Sequence, residues 1–249
     1  MIQWYSKGKK SVINPKHFAP KDLNFVKLGV MVFVKRVYIW MRAAANNVVI
    51  EKSEGVVGAL NFFTTKDGLA VFHSYFGAPA AVGLAEALIA GGIKKLVIFG
   101  EAGAINPKIS IGELLIPTFA IREEGASYHY LPLGVAAKPS QRLRGRVKAL
   151  LDKAGFPYEE GGVWTTDAFL RETRDKILRC RSQGALAVEM ECSALFAVAQ
   201  YRRAKSAALL LITDELHGRV WKPAYDDQKV INNERKIAEI LTKNWLELL

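Results

Sequence analysis

Three short stretches of the chain carry residue types able to do chemistry. Val188-Glu189-Met190-Glu191-Cys192 sets two carboxylates into a run that is otherwise alanine, leucine, valine and phenylalanine. Burying a carboxylate costs several kcal/mol unless it is paired or hydrogen-bonded, so such a pair marks either a site or the solvated face of a helix. Asp214 follows directly on the apolar run Leu209-Leu-Leu-Ile-Thr213. An α/β enzyme places a catalytic acid at such a strand end, and a turn or helix-cap aspartate is equally at home there. Gly100-Glu-Ala-Gly103-Ala-Ile-Asn-Pro107 follows another apolar run. Two glycines around a turn let backbone amides face a phosphate-sized ligand, or simply make the turn.

The elements that must position these residues follow from the spacing of apolar positions. Residues 29–34 read as a strand, followed by a helix ending near Asn46 in which Val37, Trp40, Met41 and Ala44 recur at helical spacing. Residues 48–50 and 60–64 read as strands, Asp67-Gly68 as a hairpin turn, and residues 69–75 as the returning strand. A helix over 80–90 closes on Gly91-Gly92, and residues 95–99 form a short buried strand of the parallel type. Further strands are expected over 114–117, 119–121, 162–166 and 207–213. Helices are expected over 141–154, 171–183, 185–203 and 228–249. Strands alternating with helices predict an α/β three-layer sandwich with a central mixed sheet, with ligands at the carboxyl ends of its strands.

Composition bounds the function. At 249 residues, 50% hydrophobic and 24% charged, the chain has enough apolar sequence for a large core, which excludes disorder as its main state and fits a single domain over 1–249. Cys180 and Cys192 lack any metal-ligand spacing, which excludes a disulfide scaffold and a structural zinc site. Residues 1–20 lack the apolar core of a signal peptide, and residues 68–92 are interrupted by His73, Pro79 and Glu86, so a cytoplasmic protein without a membrane segment is expected. A net charge of +11 predicts attraction for anions. The basic stretches 141–148 and 171–181 would be the patch if that anion were a nucleic acid, yet no nucleic-acid motif accompanies them.

The three chemical stretches, in this order, resemble the purine nucleoside and uridine phosphorylase family, which includes nucleosidases. The pieces that carry the resemblance are LVIFGEAGAINPKISIGELLIP, WTTDAFLRE, ALAVEMECSALFAVA and LLLITDEL, and REEGASYHYLP is similar to the uridine phosphorylase-like branch. The resemblance runs from about Leu69 to the C-terminus. It implies that Glu189, Met190 and Glu191 bind the ribose, that Phe169 stacks on the base, and that Thr213 and Asp214 lie at the base, with Asp214 as the acid. It also implies that His17 in NPKHFAP reaches a neighbouring subunit's ribose, in a homo-oligomer, dimer or hexamer. Phosphate would be the co-substrate, with no cofactor and no metal.

Breaking a bond between sugar and base develops positive charge on the sugar and negative charge on the base, so an acid beside the base lowers the barrier. The resemblance thus implies phosphorolysis of a ribonucleoside to free base and ribose 1-phosphate. Asp214 favours a purine, and the REEGASYHYLP tract favours uridine. The anion site departs from the family pattern, because Ile98 and Glu101 stand where an arginine and a serine or threonine are expected. A carboxylate about 4 Å from a phosphate charge costs roughly 4 kcal/mol at an effective dielectric of 20. Two arrangements are open. Gly100 and Arg36 can bind phosphate with Glu101 turned aside, or Glu101 can activate a water, which makes the protein a nucleosidase. Arg122, Arg171 and Arg174 are further candidate anion or base contacts. A nucleoside-binding relative without catalysis is the third alternative.

Overall fold

The computed structural model describes residues 4–6, 11–20, 23–54 and 58–249. Alternate residues of the apolar runs separate onto opposite faces of one sheet, as the two-residue period of a strand requires. In β1 (Leu28–Val32) and β5 (Lys95–Ala104), Met31, Leu96 and Ile98 enter one core, while Val30, Val32, Val97 and Phe99 enter the other. The first core is covered by α2 (Ala78–Ala90) and α5 (Cys192–Arg202). The second is covered by α1 (Lys35–Ala44), α3 (Gln141–Lys153) and α6 (Gln228–Lys243). This is the expected three-layer α/β sandwich.

The remaining elements are β2 (Val48–Glu54), β3 (Ala59–Thr65), β4 (Leu69–His73), β6 (Leu114–Glu123), β7 (Glu159–Thr166), α4 (Arg174–Ser182), β8 (Ala185–Glu189), β9 (Lys205–Glu215) and β10 (Lys222–Pro223). Among the described residues the strands run in the order β10-β9-β6-β7-β8-β5-β1-β4-β3-β2. Parallel pairs such as β1–β5 and β6–β7 mix with antiparallel pairs such as β5–β8 and β6–β9. An additional β5–β9 pairing closes β5, β9, β6, β7 and β8 into a ring of five strands.

Two local expectations are corrected. Residues 185–203 are not one helix: β8 takes 185–189, and α5 begins only at Cys192. A short run of alanine, leucine and valine suits a buried strand as well as a helix. Here β8 has strand partners on both sides, with Val163↔Ala187 toward β7 and Gly103↔Val188 toward β5. The tract from Gly100 to Gly103 is likewise not a phosphate-cradling turn, because β5 continues through it to Ala104. Gly100, Glu101 and Gly103 stand in register with Leu210, Leu211 and Asp214 of β9. Gly103 is needed for close approach rather than for a turn. A Cβ there would collide with Leu216 and stand 2.9 Å from Asp214 Oδ2.

Candidate active site

Gly103 of β5 is in register with Val188 on one side and Asp214 on the other. The carboxyl ends of β8 and β9 therefore meet at the end of β5, and the turn after β8 presents Glu189, Met190 and Glu191 beside Glu101. Glu101, Glu189 and Glu191 line one cavity of about 100 Å3 together with Phe33, Phe76 and Ile98. Gly100 lines it as well.

The two carboxylates of the Glu-Met-Glu turn have different duties. Glu189 is buried, and its Oε2 accepts the backbone N–H groups of Glu191 and Cys192, each at 2.7 Å. Its Oε1 accepts the Thr165 hydroxyl at 2.5 Å. Glu189 thus satisfies donors at the start of α5, where a helix leaves its first N–H groups unpaired and favours negative charge. Burial raises its pKa, while the Thr165 hydroxyl and the two backbone donors pull it back down. Glu191 is held through one oxygen, Oε1, by the N–H of Gly77 at 2.6 Å. Burial, and then the charge of Glu189, push Glu191 up to about 8. Glu191 keeps acceptor capacity toward the cavity, as a group that binds sugar hydroxyls requires. Met190 is half-buried between them.

The strand end of β5 holds a knot of charge. Arg36, in the first turn of α1, donates through Nη2 to Glu101 Oε1 at 3.1 Å and to Glu234 Oε1 at 3.0 Å, and through Nε to Glu234 Oε2. Arg36 Nη2 also donates to the Tyr225 carbonyl at 3.0 Å. Glu234 is completely buried on the apolar face of α6. Two carboxylates share one guanidinium, and Glu101 is pushed up to about 8, first by burial and then by its hydrogen bond to Glu234 and that residue's charge. A proton on Glu101 makes the knot neutral.

Asp214 is buried, does not line the cavity, and lies near enough to Glu101 for its charge to act on it. The indole of Trp221 donates to its Oδ2 at 2.7 Å. Burial raises the Asp214 pKa, and hydrogen bonds from Trp221 and Thr213 oppose the rise. Thr213 is buried, with its carbonyl accepting Ala224 N–H at 2.8 Å. Glu172, just ahead of α4, is pushed up to about 7 by burial and by the charges of Asp214 and Glu123. Tyr225 is likewise raised to about 12 by burial and by Asp214, Glu101 and Glu172. Phe169 is half exposed on a short 3-10 turn and does not line the cavity. The cavity offers Glu191 as an acceptor for sugar hydroxyls and Glu101 as a group able to take a proton, and Asp214 is an acid close enough to influence Glu101.

Several expected residues stand apart. His17 is exposed on the 3-10 turn Pro15–Phe18, which packs on α2, and does not line the cavity. Arg122 is occupied by the Ser127 hydroxyl and the carbonyls of Leu131, Pro132 and Val135, so it braces the loop that follows β6. Arg174 holds the carbonyls of His217 and Gly218, and Arg171 is exposed. The sequence reading missed Glu234, Trp221, Glu172 and Thr165. Glu234 carried a legible signal: it shares the helical stripe of Val230, Ile237 and Leu241, where a charge needs a buried partner.

The comparisons agree with this architecture. The phosphorylase superfamily model matches residues 47–245. The chain is 26% identical over 164 residues to purine nucleoside phosphorylase DeoD-type 1 of Shewanella oneidensis, covering 65% of this chain and 69% of that protein. It is 24% identical over 162 residues to the guanosine phosphorylase of Halorubrum lacusprofundi, covering 65% and 67%. Among solved structures, a purine nucleoside phosphorylase from Toxoplasma gondii in complex with immucillin-H superposes with a TM-score of 0.78 at 16% identity, over 89% of this chain and 91% of that one. An AMP nucleosidase from Bacteroides thetaiotaomicron gives 0.71 at 22%, over 90% and 92%. At those identities the solved structures show a shared fold. With a family model spanning most of its length, and the strand-end site in place, the chain belongs to the phosphorylase superfamily.

Proposed function

We propose that the protein cleaves the N-glycosidic bond of a purine ribonucleoside, with water as the acceptor of the sugar. The observation that carries the choice of water is Arg36. Its guanidinium is already engaged by two carboxylates, so a phosphate would have to displace Glu101 and sit beside Glu234. Glu191 binds the ribose hydroxyls. Asp214 donates a proton to the departing base, and Phe169 covers the base. Glu101, once deprotonated, takes a proton from the attacking water. The reaction as written uses no cofactor and no metal. Only the ionised form of Glu101, which sits near 8, acts as a base, so the contribution of the base grows with pH toward that value while Asp214 keeps its proton.

The purine assignment draws on Asp214 and on the similarity to purine nucleoside and guanosine phosphorylases; uridine is the competing base. Phosphorolysis is the second reading, favoured by relatives named purine nucleoside phosphorylase and guanosine phosphorylase. It requires Arg36 to release Glu101 and turn to the anion. The exposed apolar residues Val12, Ile13 and Phe18 around His17 support a homo-oligomer in which this segment meets a second copy. No helix among the described residues is long and apolar enough to cross a membrane.

The test is incubation with inosine, guanosine, adenosine and uridine, with and without phosphate, followed by identification of the sugar product. Free ribose from a purine nucleoside at a rate indifferent to phosphate is expected. Ribose 1-phosphate formed only when phosphate is present would overturn the assignment of water. Thermal stabilisation by a nucleoside with no turnover of any would identify a binding protein instead.

A further inference from the structure

The indole of Trp221 makes a contact that the reaction as written does not use. Trp221 lies between β9 and β10, in a segment tied at several points. Leu216 N–H donates to the Ala104 carbonyl at 2.8 Å, Arg174 holds the carbonyls of His217 and Gly218, and Ala224 N–H donates to the Thr213 carbonyl. Asp214 and Pro223 are register partners across β9 and β10. The indole is therefore delivered to Asp214 by the backbone, and its N–H meets Oδ2 at 2.7 Å while the residue as a whole remains 54% exposed. Both carboxyl oxygens lie over Gly103, 2.9 and 3.0 Å from the point where a Cβ would stand.

An indole N–H is a donor only. An oxygen accepting it at this distance cannot also aim its own O–H along the same line. The carbonyl oxygen of a carboxylic acid is its better acceptor, so the indole N–H favours the acid proton on the other oxygen, and Thr213, the remaining side-chain partner of Asp214, has a hydroxyl that can accept as well as donate. We propose that Trp221 is a positioning residue: it reserves Oδ2 of Asp214 as an acceptor and so favours the acidic proton on Oδ1, aimed at the base. This rests on the reading of Asp214 as the acid. In the step itself the bond from sugar C1′ to the base nitrogen breaks and its electron pair stays with the base. The Oδ1–H proton passes to a ring nitrogen of the base, the attacking water bonds to C1′ and gives a proton to Glu101, and Asp214 is left ionised. The same indole N–H then stabilises the ionised carboxylate. The other ionisable groups facing Asp214 are Glu101 from β5, Glu172 from the turn ahead of α4, and Tyr225 after β10. The carboxylates among them favour a protonated Asp214 and oppose the indole.

The test compares two substrates, inosine and its N7-methylated form, whose base is already cationic and leaves without a proton. In Trp221→Phe, which keeps an exposed ring and removes the N–H, the ratio of kcat on inosine to kcat on the methylated substrate should fall about 10-fold, part of the roughly 10²–10⁴-fold that a positioned acid contributes. The alkaline limb of the inosine profile should move up by about one pH unit, because a donor to the ionised form has been lost. An unchanged ratio, with both substrates slowed alike, or a limb that stays in place, would overturn the positioning role. Asp214→Asn separates this from the parent reading. If Asp214 is the acid, that variant collapses the ratio further than Trp221→Phe does. If Asp214→Asn leaves the ratio unchanged, the acid assignment itself has failed.

Discussion

Two buried acidic regions lie around one small cavity, and they solve the same problem differently. At the turn after β8, Glu189 is satisfied by two backbone N–H groups and a hydroxyl. At the end of β5, Glu101 and Glu234 are satisfied by one arginine that they share. Backbone donors at a helix start are part of the fold and cannot rotate away, so Glu189 is fixed and fixes Glu191 two residues on. Side-chain partners can exchange, and a proton can replace a cation, so the arginine knot is the region suited to react. Structural duty follows from backbone partners, and chemical freedom follows from side-chain partners.

The largest effect that would break this comparison is in stability. Glu189→Ala strips the acceptors from two buried N–H groups and the Thr165 hydroxyl, and should cost about 3 kcal/mol in urea unfolding. A loss under about 1 kcal/mol would mean that water replaces the carboxylate and that the turn is not held as described. Glu191→Ala strips one acceptor, that of the Gly77 N–H, so it should cost less, about 1 kcal/mol, and should lower kcat/KM by about 10-fold, the equivalent of one hydrogen bond of roughly 1.4 kcal/mol to a sugar hydroxyl.

The next effect concerns pH. Glu101 and Glu191 both sit near 8, well above the ordinary carboxyl value of 4.5. In that window the native state holds more protons than the unfolded chain, so these groups favour folding at pH 4 and progressively lose that contribution up to pH 8. The Tm should therefore fall by a few degrees between pH 5 and pH 8, and the fall should shrink in Glu101→Gln. A Tm that rises over this window would mean that both carboxyls are ionised in the native protein. The smallest effect is that of Glu234→Gln. Without that like charge, Glu101 should titrate about one unit lower, and the ascending limb of the rate profile should move down with it.

The layered fold was legible because apolar runs of strand length alternate with helical stripes, as in residues 95–99 and the face of α6. Glu189 and Glu191 stood out as carboxylates set into an apolar run, and Asp214 as an acid directly after one. What the chain alone did not show was which run was a strand. Ala185–Glu189 has good helix formers, and only its pairing with β7 and β5 makes it β8. That pairing moves Glu189 from a helix face to a helix start and gives it a structural duty. Glu101 was recognised as misplaced for phosphate, yet its partner Glu234 lies 133 positions away, and no local pattern links the two.

Residue types and spacing by themselves determined the layered α/β class, the family, and the presence of a carboxylate where an anion site was expected, because periodicity and strand-end chemistry are local properties. Tertiary structure decided which partner each cation serves. Arg36, Arg122 and Arg174 all read as candidate anion ligands in the sequence, and folding directs them to Glu101 and Glu234, to the carbonyls after β6, and to the segment that carries Trp221. Charge is a property of composition, but its availability depends on which buried partners must be satisfied first, and those partners come from distant parts of the chain.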